Sequence, residues 1–438
     1  MTDKFARLQR KHVLGAVGLV ATLFCALFAL TRSRPSQHSD AFPVAAPSSS
    51  ATILAAVAAP ARAIPEDDAR VALGRKMFFD PKLSVPEGTS CAACHDPAHG
   101  YAGNHGSQIG VAHGSAEGRF ARRSTPSVLY LRFVRRFHLE WEEEAELPEA
   151  FGGFFWDGRA NTVANLVSQP LLNPDEMGNR SLAQIAKTLH ESAYAGELAA
   201  EFDDVFTTPE RTVEALGFCL EAFLVSSSMA PFSSKYDEFL RGRAELSALE
   251  AQGLALFRDR DRAACISCHQ FDEHSKEPEA SLFSNYGYDT VAVPRNRRLP
   301  SNRDPRQFDL GVCERHDAKL HTEDAWFCGS FRTPSLRNVA TRESFMHNGV
   351  FSNLREVVRF YATRSSDAAR WYPAGTFDDL PTRYQKYVNV DAPPYHQPPG
   401  APPLLDDAEI DAIVAFLQTL TDSHVPDGQG LSYSLAQR

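Results

Sequence analysis

The chain has 438 residues, of which 43% are hydrophobic and 23% are charged, a balance that is ordinary for a globular protein of two or three domains. Its formal net charge of −10 argues against a nucleic acid as partner, because binding to phosphates requires a basic surface. Composition excludes little else, so the function has to be predicted from the elements and motifs in chain order.

The N-terminal segment combines a basic cluster with an apolar run. The basic residues are Lys4, Arg7, Arg10 and Lys11. Residues 13–30 follow without a charge, and this run is just long enough for a helix that crosses a bilayer with its N-terminus in the cytoplasm. A cleaved signal segment is the alternative, but no small-x-small pattern follows Leu30 directly, so we expect residues 1–32 to contain an inner-membrane anchor. In either case we expect the rest of the chain in the periplasm.

Two segments further along the chain resemble each other. Each contains a Gly-x-x-apolar-Phe pattern in a helical context, at residues 74–78 and again at residues 253–257. A Cys-x-x-Cys-His motif follows each pattern after a short loop. Such internal similarity predicts a duplicated domain whose repeated part is the region around the two motifs.

The duplication sets the predicted domain boundaries. A flexible linker rich in Ala, Ser and Pro, residues 33–63, would lead into a first domain at residues 64–245. A second domain would cover residues 246–424, and apolar residues at three- and four-residue spacing predict an amphipathic helix at 406–421 near its end. Residues 425–438 would form a tail. Helical patterns dominate, so the predicted class is mainly α with long loops.

The Cys-x-x-Cys-His motifs are the most specific feature of the sequence. They consist of Cys91, Cys94 and His95, and of Cys265, Cys268 and His269. Two thiols at this spacing can reach both vinyl groups of one porphyrin, and the next residue, histidine, then faces the iron. A thioredoxin-like pair does not need the histidine, and a zinc site needs a second pair of ligands. We therefore expect two covalently bound haem c groups with His95 and His269 as proximal ligands.

Four cysteines lie outside these motifs. Cys313 and Cys328 fall in a loop-rich segment between the second motif and Arg332, and we predict a disulfide between them because unpaired thiols are unusual in an oxidising compartment. Cys219 lies in a helical pattern, where a single cysteine is usually a small buried hydrophobe, and Cys25 lies in the apolar run.

From about residue 70 to 422 the sequence resembles the bacterial di-haem cytochrome c peroxidase superfamily, which includes the MauG-type enzymes. The resemblance rests on both Cys-x-x-Cys-His motifs and on four further segments. These are Phe-Trp-Asp-Gly-Arg-Ala at 155–160, Asn-Pro-Asp-Glu-Met at 173–177, Arg-Thr-Pro-Ser-Leu-Arg-Asn-Val at 332–339 and Met-His-Asn-Gly at 346–349. It implies two cytochrome c-like haem domains that pack face to face.

The resemblance also implies roles at the first haem, the one held by His95. Glu176 falls where the family has a distal carboxylate that can move a proton between the two oxygens of peroxide, although it could also cap a turn. Trp156 matches the tryptophan between the haems, where core packing is the alternative role. His113 matches the histidine that closes the resting peroxidatic haem, and a His-Gly turn is its alternative.

Two departures from the family pattern stand beside these matches. Leu166 occupies the position at which the family commonly has a distal glutamine, which removes a hydrogen-bond donor near the first iron. The family binds an interdomain calcium through an asparagine side chain and two backbone carbonyls. Ser124, Arg342 and Ser344 stand at these positions, and serine is a poorer ligand than asparagine, so we expect at most one calcium ion there.

The ligand of the second haem separates the two branches of the superfamily. Tyr361 lies fourteen residues after His347, where the electron-accepting peroxidases have a methionine and the MauG-type enzymes have a tyrosine. A hard, anionic phenolate favours ferric or higher states, whereas a thioether favours ferrous iron. The resemblance thus implies that Tyr361 ligates the second iron; an aromatic residue on the buried face of a helix is the alternative.

These expectations combine into one function and two alternatives. The chain is expected to be a periplasmic di-haem peroxidase that reacts with hydrogen peroxide at the first haem and shares oxidising equivalents with a Tyr361-ligated second haem through Trp156. The alternatives are a conventional cytochrome c peroxidase, which takes electrons from a small cytochrome, and a non-catalytic electron-transfer cytochrome. The expected partners are peroxide, an unidentified redox protein or organic or protein substrate, and the inner membrane, with no nucleic acid.

Overall fold

A computed structural model describes residues 62–141, 147–315, 326–373 and 377–423. The predicted anchor at residues 13–30, most of the linker and the tail at 425–438 lie outside these ranges. Within them, no helix is both long and apolar enough to cross a membrane. The described residues belong to one compact unit with two large hydrophobic cores. We refer to the residues up to 245 as the N-terminal half and to the later ones as the C-terminal half.

The described part of the chain is mostly helical with little sheet. Its helices are α1 Ala69–Phe78, α2 Cys91–Cys94, α3 Val163–Leu172, α4 Leu182–His190, α5 Ala195–Glu201, α6 Pro209–Leu224, α7 Lys235–Leu240, α8 Ala248–Arg258, α9 Cys265–Cys268, α10 Leu354–Thr363, α11 Ala368–Trp371 and α12 Asp407–Gln418. Its strands are β1 His138–Glu140, β2 Glu149–Phe151, β3 Tyr288–Asp289 and β4 Phe331–Arg332. The strands pair antiparallel as β1 with β2 and β3 with β4. The mainly helical class is thus confirmed.

Capping side chains explain where the long helices begin. The hydroxyl of Thr208 accepts a hydrogen bond at the start of α6, and Pro209 occupies the first helical position, where its missing N–H costs nothing. Ser247 at the start of α8 and Asp406 at the start of α12 each form a capping box. The amphipathic helix predicted near the end of the chain is therefore present as α12, which begins and ends within the predicted range.

The repeated Gly-x-x-apolar-Phe pattern marks a helix crossing in the first core. Helix α1 lies across α6 at Gly74, where an added Cβ would stand 1.9 Å from the carbonyl oxygen of Cys219. The rings of Phe78 and Phe223 meet edge to face next to this crossing, with centroids 5.4 Å apart. Only glycine lets the two backbones approach so closely. Cys219 itself is fully buried, as the sequence predicted.

The second core repeats this arrangement with different residues. Helix α8 lies across α12 at Gly253, where an added Cβ would stand 1.9 Å from the carbonyl oxygen of Ala412. The rings of Phe257 and Phe416 meet with centroids 5.3 Å apart. The internal similarity of the sequence therefore reflects a duplicated pair of crossing helices. Tyr236 of α7 already belongs to the second core, although the sequence pattern placed the domain boundary after residue 245.

The two halves meet through glycine and through buried polar groups. Gly110 and Gly349 cross so closely that a Cβ on either would lie 1.9 Å from the carbonyl oxygen of the other. The hydroxyl of Tyr130 in the N-terminal half donates to Asp422 in the C-terminal half at 2.7 Å. Asp422 also accepts a hydrogen bond from the amide of Asn338 at 2.7 Å. These contacts give the interface a specific geometry, since buried polar groups must keep their partners.

A disulfide closes the long insertion in the C-terminal half. Cys313 and Cys328 are bonded with an S–S distance of 2.03 Å, so the predicted pairing is confirmed. Both cysteines line a cavity in the N-terminal half together with Tyr384. The insertion therefore reaches across the interface and helps to enclose the site of the other half.

Candidate haem sites

Each Cys-x-x-Cys motif forms a single helical turn, α2 or α9, followed by its histidine. Nδ1 of His95 lies 3.2 Å from the carbonyl oxygen of Tyr101, and Nδ1 of His269 lies 3.1 Å from that of Phe283. Because a carbonyl oxygen only accepts, Nδ1 carries the proton in both rings, and Nε2 is left with the lone pair that a metal needs. The two histidines are thus oriented by the same type of hydrogen bond, from Nδ1 to a backbone carbonyl.

Each motif opens into a cavity. The first cavity has a volume of about 880 Å³ and is lined by Cys91, Cys94 and His95. The second cavity has a volume of about 360 Å³ and is lined by Cys265, Cys268 and His269. Both volumes fall in the range of cofactor sites, and most of the lining residues are apolar.

The polar groups of the two cavities also fit haem. Burial lowers the pKa of both His95 and His269 to about 4, so their imidazoles are neutral at pH 7, as metal ligands must be. Arg332 lines both cavities, and its Nη1 is buried without a hydrogen-bond partner among the described residues. A buried donor of this kind is costly unless an acceptor satisfies it, and the carboxylate of a haem propionate is such an acceptor.

Glu176 lies in the first cavity. A turn places it just after α3, where the backbone N–H of Glu176 donates to the carbonyl of Asn173 at 3.0 Å. The side-chain amide of Asn173 donates to Oε1 of Glu176 at 2.9 Å. Burial raises the pKa of Glu176, and the positive charge of Arg159 and the hydrogen bond from Asn173 only partly oppose this effect. The carboxyl group is therefore held in the cavity and takes up a proton more readily than an exposed glutamate does.

Trp156 lines both cavities. Its indole Nε1 donates to the carbonyl oxygen of Ser124 at 2.8 Å, and its own carbonyl accepts from the backbone of Arg332 at 2.8 Å. The following residue, Asp157, receives hydrogen bonds from Arg123 at 2.6 Å and from Arg159 at 3.0 Å. Although burial alone would raise the pKa of Asp157, these two cations lower it overall. The tryptophan is thus fixed between the two sites.

Tyr361 lies in the second cavity, together with His269. Helix α10 buries Leu354, Val357 and Phe360 in the second core and presents Tyr361 to the cavity. The ring of Tyr395 lies 6.1 Å from that of Tyr361 and lines the same cavity. Burial raises the pKa of Tyr361 above its ordinary value, so the phenol is neutral when no cation lies beside it.

The structure does not bring His113 into the first cavity. Its ring packs against Phe120 at 4.7 Å, where the two residues form an antiparallel bridge. Its carbonyl oxygen lies 3.0 Å from Nδ1 of His105. Ligation of the first haem by His113 stays a prediction. Leu166 does line the first cavity, as the departure from the family pattern implied.

The three positions named for calcium do not fit a metal ion. Nε of Arg342 donates to the carbonyl oxygen of Ser344 at 3.1 Å, and Nη2 of Arg342 lies 3.3 Å from Oγ of Ser124. A cation of this chain therefore uses two of the three expected oxygens. In the described ranges, no cluster of His, Cys, Asp or Glu side chains could hold a metal ion. The expectation of a calcium ion stays a prediction, and the hydrogen bonds of Arg342 argue against it.

Sequence patterns missed several residues of these sites. Tyr395 has no fixed spacing from any motif, and the guanidinium of Arg364 lies 3.7 Å from the centre of its ring. Arg332 belongs to a motif, but its place between the cavities follows only from the fold. The sequence did contain a signal for Arg342: a positively charged residue stands at a position where the resemblance implied a bound cation.

Comparisons with known proteins agree with this geometry. A family model described as di-haem cytochrome c peroxidase matches residues 68–245. The methylamine utilization protein MauG of Paracoccus denitrificans is 33% identical over 392 residues, covering 85% of this chain and 93% of that protein. The chain belongs to the di-haem cytochrome c peroxidase family.

Two further proteins illustrate the range of this family. The crystal structure of the diheme peroxidase BthA from Burkholderia thailandensis matches with a TM-score of 0.78 and 46% identity, covering 84% of this chain and 91% of that one. The cytochrome c551 peroxidase of Nitrosomonas europaea is 26% identical over 301 residues, covering 68% of this chain and 75% of that protein. Both MauG and peroxidase names therefore occur among the relatives.

Membership in the family confirms three of the predictions. The protein has two covalently bound c-type haems, it is a haem oxidoreductase that acts with peroxide, and its fold is that of the di-haem peroxidases. The residues that would hold the haems are the two Cys-x-x-Cys-His motifs.

Proposed function

We propose that this protein is a MauG-type di-haem peroxidase, in which hydrogen peroxide reacts in the first cavity and oxidising equivalents are shared with the second. The observation that carries the proposal is the position of Trp156, which lines both cavities and is held by a hydrogen bond to Ser124. A single side chain therefore connects two sites that differ in their inward-facing groups. A non-catalytic electron carrier would not need the carboxyl group of Glu176 in one of them.

The protein's own part in the peroxide reaction is proton transfer and positioning. When bound by Cys91, Cys94 and His95, the haem would supply the redox-active iron for the reduction of peroxide. The carboxylate of Glu176 accepts a proton from one peroxide oxygen and returns it to the departing oxygen, so that water can leave. Asn173 holds Oε1 of Glu176 at 2.9 Å and keeps the carboxylate oriented during this exchange.

Tyr361 favours the MauG-type function over the conventional one. An electron-entry site needs a high potential, which a soft thioether supplies, whereas a phenolate stabilises the oxidised metal. Tyr361 lines the second cavity together with His269. Among the described residues, Met346 is the one methionine that also lines this cavity. The geometry is therefore suited to storing an oxidising equivalent rather than to accepting electrons from a cytochrome.

The decisive experiment is the Tyr361→Met variant. We expect the reduction potential of the C-terminal haem to rise by about 100 mV or more, since axial ligands set haem potentials over a range of about 0.8 V. A redox titration followed optically would measure the shift. Tyr372→Phe is a matched control, because Tyr372 is buried in the same core but does not line the cavity. Equal potentials in the wild type and in Tyr361→Met would favour the conventional peroxidase.

We further propose that the enzyme works in the periplasm, anchored to the inner membrane by residues 13–30. The support is the basic cluster before this apolar run and the presence of c-type haem, which is attached outside the cytoplasmic membrane. Its electron donor would be a small redox protein or an organic or protein substrate. Cell fractionation with an antibody against the C-terminal half tests the location, and recovery in the cytosol would contradict it.

A further inference from the structure

The guanidinium of Arg342 lies at the contact between the two halves. Nη2 donates to the carbonyl oxygen of Thr125 at 2.9 Å, and the same atom lies 3.3 Å from Oγ of Ser124, both in the N-terminal half. Nε donates to the carbonyl oxygen of Ser344 in the C-terminal half at 3.1 Å. One planar cation therefore joins oxygen atoms that are more than two hundred residues apart in the chain, as the separation of 218 residues to Ser124 shows.

This cation has neutral partners only. Its three acceptors are two carbonyl oxygens and one hydroxyl, and it forms no ion pair with a carboxylate of the described residues. The neighbouring carboxylate, Glu343, accepts a hydrogen bond from the backbone of Asn104 instead. A buried charge without a counter-ion is expensive, and a group perturbed in this way is a candidate for a functional role. Burial lowers the pKa of Arg342 to about 10, which still leaves it charged at pH 7.

Three successive residues of the N-terminal half connect this charge with the haem sites. The carbonyl of Ser124 accepts from Trp156, the carbonyl of Thr125 accepts from Arg342, and Pro126, like the two residues before it, lines the first cavity. Arg342 itself lines the second cavity. The charge of Arg342 therefore lies between the two haem sites.

We propose that the guanidinium of Arg342 replaces a bound metal cation at the interface, holding the two halves together and raising the potentials of the neighbouring haems without calcium. Two of the three oxygens expected to bind the ion, Oγ of Ser124 and the carbonyl oxygen of Ser344, accept from the guanidinium, which supplies a positive charge and directional donors in place of the ion. This inference requires only that haems are bound at His95 and His269 and is independent of the choice between MauG-type and conventional function. A fixed positive charge favours the ferrous over the ferric haem because the ferrous form carries one positive charge less.

The first test uses the wild-type holoenzyme. We expect no calcium in the purified protein by elemental analysis, and an unchanged melting temperature when either calcium chloride or a chelator is added. A protein that contains one calcium ion per chain, and that loses stability when the ion is chelated, would overturn the proposal. This measurement needs no variant, so a folding defect cannot obscure it.

The second test separates charge from packing. Arg342→Gln removes the charge at similar length, and we expect the ferric-to-ferrous equilibrium of the haems to shift about tenfold toward ferric, which is about 59 mV for one electron. Arg342→Lys keeps the charge and should restore most of the potential, even if the hydrogen bonds are fewer. Arg180→Gln on the exposed surface serves as the matched charge control and should leave both potentials unchanged.

The two variants decide the electrostatic part of the proposal. Equal haem potentials in Arg342→Gln and Arg342→Lys would show that the side chain acts by packing, and they would overturn it. A shift of the same size in Arg180→Gln would also overturn it, because any loss of positive charge would then have the same effect. If Arg342→Gln does not fold, Arg342→Lys is compared with the wild type instead. Lysine retains the positive charge, so a haem potential far from that of the wild type would contradict the proposal.

Discussion

The two haem-bearing halves share a helix crossing and an oriented histidine, but different side chains line their cavities. In both halves a glycine lets two helices cross, and in both the histidine of the motif is held through Nδ1 by a backbone carbonyl. The first cavity then receives the carboxyl group of Glu176, whereas the second receives the phenol of Tyr361 beside Tyr395. Duplication explains the binding of two cofactors, but it does not explain what each of them does.

The difference arises from elements that the repeat does not include. Glu176 lies on the turn after α3, and Tyr361 lies on α10, for which the N-terminal half has no counterpart in the repeated pattern. The insertion closed by Cys313 and Cys328 adds a further asymmetry, because it belongs to the C-terminal half and lines the first cavity. The variants below test whether the shared helix crossings determine stability and whether the different side chains in the cavities determine reactivity.

The largest effect is expected from Glu176→Gln. The amide keeps the shape of the side chain but cannot accept the proton of peroxide, so we expect the reaction with peroxide to slow by about a hundredfold to ten-thousandfold. Both haems should remain bound. Stopped-flow spectra of the ferric bands measure the rate, and Asp175→Asn is the matched control, since Asp175 is half-exposed and paired with Arg119. An unchanged rate would reduce Glu176 to a residue that caps a turn.

The pH dependence of the same reaction gives an independent check. Burial raises the pKa of Glu176, and only the ionised carboxylate can accept the proton. The rate should therefore fall as the pH decreases through a midpoint above the ordinary value of about 4.3 for glutamate. Glu176→Gln should lose this inflection. A wild-type profile that is flat between about pH 4 and 7 would assign the proton transfer to another group.

The disulfide tests the asymmetry of the two halves. Replacing both Cys313 and Cys328 by Ser opens a loop of 15 residues, and we expect the free energy of unfolding to fall by about 3 kcal/mol. Chemical denaturation followed by circular dichroism measures this loss. A reductant should destabilise the wild type by the same amount and leave the double variant unaffected. Equal stability of the two proteins would show that the insertion is held by its other contacts alone.

The crossing glycines test the equivalence of the two halves. Gly74→Ala and Gly253→Ala each place a Cβ 1.9 Å from a carbonyl oxygen, so each should cost about 1–3 kcal/mol of stability through overpacking. Gly196→Ala in α5 is the control, since its Cβ would meet nothing within 4 Å. That substitution should stabilise the helix by up to about 1 kcal/mol. Very different losses at Gly74 and Gly253 would mean that the two crossings are not equivalent.

Sequence patterns predict the parts of this protein that depend on local spacing. The haem motifs, the amphipathic helix α12 and the disulfide all follow from residues near one another in the chain or from a compartment rule. The side chains that determine the asymmetry do not. The guanidinium of Arg342 reaches Ser124 and Thr125 only because two distant loops meet, and Tyr395 approaches Tyr361 only because a proline-rich loop folds back over α10. The ring of His113 turns toward Phe120, which no spacing of histidines could indicate.

The smallest effect is expected from Trp156→Phe, which tests the connection between the halves. Phenylalanine keeps an aromatic ring between the cavities but loses the larger π-system and the indole N–H that donates to Ser124 at 2.8 Å. We expect the response of the second haem to peroxide to slow by about tenfold, which corresponds to about 1.4 kcal/mol in the barrier. The first step should keep its rate, because Glu176 is untouched.

Two wavelengths that distinguish the haems would separate these steps in one stopped-flow experiment. Trp371→Phe is the matched control, because Trp371 is buried in the second core, donates to Thr363 at 3.1 Å and lines neither cavity. If Trp156→Phe slows the first step as much as the second, Trp156 supports the architecture of the first cavity rather than the transfer between cavities. If it slows neither step, the two halves exchange oxidising equivalents by a route that does not pass through this side chain.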